Sequence, residues 1–160
     1  MDRFVSHHVL HLDAKGRVSV PAAFRAVLAG DGFDGLYCHP ALDRPAVDAG
    51  GNALLAEIEA LITGFSPYSE EREQFSLALF GTSETLKIDG EGRVVLTEAH
   101  KAHAGIKDAV IFVGLGHKFR IWEPDRFRAE LAEATDKVRA FKADLGAQAA
   151  AAKPLGARER

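Results

Sequence analysis

Two Asp–Arg pairs stand out in this chain. Asp13 and Arg17 are four residues apart, and the pair recurs as Asp89 and Arg93. The matched segments are Leu12-Asp13-Ala14-Lys15-Gly16-Arg17-Val18-Ser19-Val20 and Ile88-Asp89-Gly90-Glu91-Gly92-Arg93-Val94-Val95-Leu96. They lie 76 residues apart in a chain of 160. An arginine carries a planar fork of donors that can grip a guanine edge or a phosphate through two bonds at once. A carboxylate beside it can hold the fork in one pose. Asp and Gly also have a structural use here, since Asp bonds the local backbone of a tight turn and Gly accepts positive φ. That use does not require an Arg directly after the Gly in both copies, although an Asp–Arg pair across a turn can itself be structural.

A repeat of this kind decides the architecture, so the chain reads as two related halves. Residues 8–12 alternate, with Leu10 and Leu12 on one face, and Val18 and Val20 continue the alternation beyond the turn. Period two argues for strands, and the two runs read as a hairpin around Asp13 to Gly16. Pro21 suits the start of a helix that presents Phe24, Val27 and Leu28 and can end at Gly30. Residues 35–39 read as a further strand. The second half repeats the plan: arms over 85–88 and 93–96, a helix capped by Thr97 and stopped by Gly105, and strands over 110–113 and 118–122. Between the halves, residues 41–51 read as loop with at most a weak strand, 52–63 as an amphipathic helix and 69–80 as a second helix. Phe127, Leu131, Ala134, Val138 and Phe141 predict a long amphipathic helix, and the Ala-rich stretch from Ala149, with Pro154 and Gly156, reads as a frayed tail.

Composition sets the class. With 47% apolar and 27% charged residues, the chain has the balance of a water-soluble domain. No apolar run approaches the ~20 residues of a membrane span, and the N-terminus lacks the apolar core of a signal peptide. The single cysteine, Cys38, excludes an intrachain disulfide, so a cytoplasmic location is expected. The net charge of −3 does not advertise nucleic-acid binding, but its distribution is uneven. Around the first turn, Lys15, Arg17 and Arg25 face only Asp13. At the equivalent positions Arg93 and Lys101 face Asp89, Glu91 and Glu98.

Other groups carry less. His7, His8 and His11 crowd one strand without the ligands that would complete a metal site, and His100 and His103 share that lack. Gly114-x-Gly116 has the spacing of a turn and not of a dinucleotide loop. Cys38 reads as an inert core thiol, and Trp122 with the phenylalanines of the last helix as core or subunit interface. No set of nucleophile, base and orienting group is evident, so neither an enzyme nor a cofactor is expected.

The segment Leu12 to Pro21, its second copy at Ile88 to Leu96, and the closing Val113-Gly114 with Lys118-Phe119-Arg120-Ile121-Trp122 resemble the MraZ family over roughly residues 1–142. The resemblance implies an α+β fold. In it, two tandem AbrB-like swapped-hairpin motifs form one pseudo-two-fold, β-barrel-like core with peripheral amphipathic helices. It divides the chain into a first repeat with its helices (1–80), a second repeat with the C-terminal helix (81–142) and a flexible tail (143–160). It also implies a nucleoid-associated transcriptional regulator that binds double-stranded DNA at direct repeats upstream of the division and cell-wall gene cluster, autoregulation included. The subunits would assemble as a homo-oligomeric ring.

Carried over to this chain, the signature residues are Asp13, Arg17, Asp89 and Arg93. Arg17 is expected to read bases or grip the backbone, Lys15 to contact phosphate and Asp13 to orient Arg17. Arg25 is a further backbone contact, with Arg3 behind it. Glu91, standing where the first copy has Lys15, would repel phosphate, so the first turn is expected to dominate. A single turn neutralises few phosphates, but tethered subunits can raise avidity by ~10²–10⁴. Direct repeats suit a head-to-tail ring, whereas a two-fold dimer favours palindromes. An antitoxin-like repressor and an oligomeric scaffold without specific DNA binding are the competing readings.

Overall fold

The computed structural model describes residues 2–158, with side chains through residue 152. In chain order the elements are β1 (His7–His11), β2 (Arg17–Ser19), α1 (Ala22–Gly30), β3 (Leu36–Pro40), β4 (Val47–Gly50), α2 (Asn52–Thr63) and α3 (Glu70–Leu79). They continue with β5 (Glu84–Leu86), β6 (Arg93–Val95), α4 (Glu98–Ala104), β7 (Ala109–Gly114), β8 (Phe119–Trp122) and α5 (Pro124–Arg158). The chain divides into two compact units, Met1–Pro124 and Asp125–Arg160.

The class is α+β, as the sequence implies, but the sheet does not close into a barrel. Six antiparallel strands run in the order β1-β7-β8-β4-β3-β5, which leaves β1 and β5 as open edges. β2 and β6 form a separate two-stranded ribbon. The strands after each turn therefore pair with one another and not with either sheet edge. If β1–β4 are exchanged with β5–β8, the strand order reads the same backwards. Helices α1 and α4 also correspond in the two halves.

The local hairpins read from the sequence are not formed. Asp13 N–H bonds Arg17 O at 2.9 Å and Asp89 N–H bonds Arg93 O at 2.9 Å, and each turn closes there. The arms then part. β1 pairs with β7, so that His7 faces Val113 and His11 faces Ala109, while β2 pairs with β6. Burial explains the parting. Val18, Val20, Val94 and Leu96 are all sealed in the main core, with Phe4, Phe24, Phe112 and Phe119. Phe24 lies at ring-centroid distances of 5.2 Å from Phe4 and 4.9 Å from Phe119. A closed hairpin would keep both arms in one ribbon.

Residues 47–50, expected as loop with at most a weak strand, form β4, buried at every position. The Pro, Asp and Gly residues of 41–51 are why the segment does not read as a core strand. Pro21 precedes α1 as its cap residue, and Thr97 caps α4 by accepting from His100 N–H at 3.2 Å, before Gly105 ends it at φ +67°. Helices α2 and α3 bury Leu54, Ile58, Ile62 and Leu79 with Tyr37 in a second, smaller core. In the second unit α5 runs beyond Phe141 to Arg158, through the stretch that composition sets apart as a tail. No helix among the described residues is long and apolar enough to cross a membrane.

Candidate nucleic-acid interface

Each turn is built around one carboxylate. Asp13 Oδ1 accepts from the backbone N–H groups of Lys15 and Arg17, both at 2.9 Å, and Oδ2 accepts from Arg17 Nε at 2.7 Å. Asp89 repeats this: Oδ1 accepts from Glu91 and Arg93 N–H at 2.9 Å, and Oδ2 from Arg93 Nε at 3.0 Å. Glycine is needed at the αL position, with φ +77° at Gly16 and +81° at Gly92. The backbone N–H of Arg17 holds the Asp13 carboxyl below the usual range; burial opposes it, and the Arg17 side chain and the Lys15 N–H add to the lowering. Asp89 is lowered in the same way, first by the Arg93 N–H. Both carboxylates are therefore charged at neutral pH, and each fixes its arginine at Nε. The terminal nitrogens of the guanidinium point beyond that bond.

The ribbon places both forks on one surface. In β2 and β6, Val18 faces Val94, Arg17 faces Val95 and Ser19 faces Arg93. Alternation sends Val18 and Val94 into the core, each 1% exposed, and turns Arg17, Ser19, Arg93 and Val95 outward together. Arg17 and Arg93 are diagonal neighbours there, roughly 7–8 Å apart at Cα.

The two turns differ in charge. Arg93 Nη1 lies 3.4 Å from Glu91 Oε2, so a second carboxylate engages its fork. In the first turn Lys15 occupies the equivalent place, and among the described residues Arg17 has no acidic partner besides Asp13. Arg25 donates through Nε to Val20 O at 3.1 Å and lies against Gly92, which puts it at the second turn. Arg3 is not brought to either turn. It precedes Phe4, which bridges to Gly116, at the far end of β1 from Asp13. Lys101, which the sequence offers only as part of a charge count, stands at the first turn, with Nζ 3.9 Å from where a Cβ on Gly16 would lie. Its signal was the repeat itself, since Lys101 is Arg25 displaced by the same 76 residues.

Comparison with known proteins bears on this arrangement. The chain is 65% identical to the transcriptional regulator MraZ of Xanthobacter autotrophicus, over 93% of this chain and 95% of that one. It is 62% identical to the transcriptional regulator MraZ of Methylocella silvestris over 99% of this chain and the whole of that one. The chain belongs to the MraZ family. The family model, described as "MraZ protein, putative antitoxin-like", matches residues 79–145, which include the second turn and ribbon strand. A more distant MraZ, that of Rickettsia bellii, is 41% identical over 84% of this chain. MraZ relatives carry the name of a transcriptional regulator and not of an enzyme.

Two further groups lie away from the turns. Cys38 is fully buried, and burial pushes its thiol up to about 12, so it stays protonated. Asp48 on β4 receives Arg120 Nε of β8 at 2.6 Å and, from just before β8, Lys118 Nζ at 3.3 Å. Burial acts to raise the Asp48 carboxyl, but the Arg120 hydrogen bond and the charges of Arg120 and Lys118 outweigh it and hold it low. Asp48 and Arg120 tie together the two strands at the centre of the sheet. Lys118 Nζ also lies 3.9 Å from Glu57 Oε1, and His39 Nε2 lies 4.0 Å from Asp48 Oδ2, so the carboxylate anchors a wider structural cluster.

Proposed function

We propose that the chain is a transcriptional regulator that binds double-stranded DNA through the outward face of the β2–β6 ribbon and its two turns. The observation that carries this reading is the pair of arginine forks, Arg17 and Arg93, each set by its own aspartate on one exposed ribbon face. A two-stranded ribbon has the width to enter a major groove, and an arginine with free terminal nitrogens can take guanine or phosphate. Lys15 supplies a phosphate contact beside Arg17. Asp13 and Asp89 orient the arginines. The first turn leads, because Glu91 competes for Arg93 and repels phosphate.

The finer reading extends the family resemblance. The divergence of the arms after each turn supports two swapped-hairpin, AbrB-like repeats over 1–80 and 81–142. A subunit with net charge −3 gains affinity chiefly by multivalent contact. A homo-oligomeric ring on direct repeats, upstream of the division and cell-wall gene cluster and in contact with the nucleoid, fits that need.

The test is fluorescence anisotropy with duplex DNA from the gene's own upstream region and a scrambled duplex, over a salt series, for wild type and Arg17→Ala. The expected result is tighter binding of the upstream duplex, a steep salt dependence, and loss of both in Arg17→Ala with the oligomer intact by light scattering. Equal affinity for both duplexes, or indifference to Arg17→Ala, refutes the reading in favour of a scaffold.

A further inference from the structure

The helices that follow the ribbon strands each carry a cation at the same place in the repeat, Arg25 on α1 and Lys101 on α4. Neither serves the turn of its own half. Because β2 and β6 are antiparallel, the end of β2 lies beside the start of β6, and Val20 N–H bonds Gly92 O at 2.8 Å. The helix leaving β2 thus begins at the second turn. By the same pairing, the helix leaving β6 begins at the first.

The two cations are held differently. Arg25 is tied down by Val20 O, and it covers Gly92 so closely that a Cβ there would stand 2.8 Å from Nε and Cζ. Lys101 reaches Gly16 without contact of that kind, its Nζ 3.9 Å from the Cβ position. Its partner is Glu98 Oε1 at 2.9 Å, a carboxylate 91% exposed and three residues back on the same helix. The Lys101 side chain is itself 19% exposed, but the carboxylate that holds it stands in water, where a pair of that spacing is weak, and a lysine is a mobile point charge that can change partners.

We propose that Lys101 is the third cation of the first turn and contacts a DNA phosphate alongside Lys15 and Arg17, so that the leading turn is assembled from both halves of the chain. The proposal rests on the DNA-binding reading above. It adds Lys101 as a positioning contact that carries no base preference, and it makes Glu98 the group that restrains it.

The experiment repeats the salt series on both duplexes with Lys101→Gln, Glu98→Gln and the double variant, with Arg17→Ala as reference. Removing one phosphate contact lowers the slope of log K against log salt by about 0.9. Lys101→Gln is expected to show that change and to weaken both duplexes by the same factor, leaving their ratio unaltered. Glu98→Gln is expected to tighten binding, and the gain is expected to vanish in the double variant. Normal Arg17 dependence with an unchanged slope in Lys101→Gln overturns this inference alone. So does a Glu98→Gln gain that survives in the double variant; if Lys101→Gln is misfolded by circular dichroism, Glu98→Gln alone decides, and unchanged affinity in it overturns the inference. A wild type that ignores DNA, or an Arg17→Ala that binds normally, overturns the reading of the turns and this inference with it.

Discussion

Changing Glu91 to lysine gives the second turn the charge pattern of the first. Glu91 occupies the place of Lys15, and its Oε2 lies 3.4 Å from Arg93 Nη1. The substitution frees that nitrogen and adds an ammonium, which makes up to two new phosphate contacts. Each contact steepens the dependence of log K on log salt by about 0.9, so the slope is expected to steepen by about 1.8. Between 50 and 200 mM salt, one added contact multiplies the loss of affinity by about 3.5 and two multiply it by about 12. Glu91→Gln removes the competing carboxylate without adding a cation, and about half the shift is expected. Fluorescence anisotropy over the salt range measures both. Glu91 is 74% exposed, and surface pairs of its kind are worth roughly 0–1 kcal/mol, so urea midpoints should hardly move. An unchanged slope in Glu91→Lys, in a protein whose binding still depends on Arg17, would show that the second turn never faces DNA and would refute the shared ribbon surface.

Two further outcomes concern the scaffold under the turns. Gly16→Ala should cost about 1–2 kcal/mol for its left-handed backbone, and Gly92→Ala should cost more, because its Cβ must also displace Arg25; equal urea midpoints for the two variants would count against the packing of Arg25. Asp48→Asn should cost about 3 kcal/mol at pH 7 by leaving Arg120 and Lys118 facing a neutral group. Because the folded-state Asp48 carboxyl lies below its ordinary 3.8, its contribution is complete above that value and is lost as pH falls through the lower one. The gap between wild type and variant in urea titrations should therefore narrow below about pH 4, and a constant gap down to pH 3 would contradict the ion-pair account.

What was legible in the sequence is what the chain decides locally. Asp, Gly and Arg within five residues announce each turn, since the turn bonds are made among those residues themselves. The apolar stripe of Leu54, Ile58 and Ile62 announces α2 for the same reason. The pairing of the arms is not legible, because alternation says that a strand exists and not with whom it pairs: His11 finds Ala109, nearly a hundred residues on. β4 is hidden in its Pro, Asp and Gly context because Asp48 finds its countercharge, Arg120, on β8, which no local pattern reveals. The site divides along the same line. The Asp–Arg pairs are visible as spacing, whereas Lys101 reaches Gly16 only through the crossing of β2 and β6.

The strand order that reads alike in both directions has one more consequence. Two separate copies of a single half could in principle build the same interlocked sheet, with β1 of each lying on the counterpart of β7 in the other. Such a pair would be bound to present two identical heads. Covalent connection through α2 and α3 lifts that obligation, because each head is now encoded once. A lysine can stand in one and a glutamate in the other, as they do at positions 15 and 91. The protein thereby acquires polarity along its ribbon, a leading end and a trailing end, from a framework that has none.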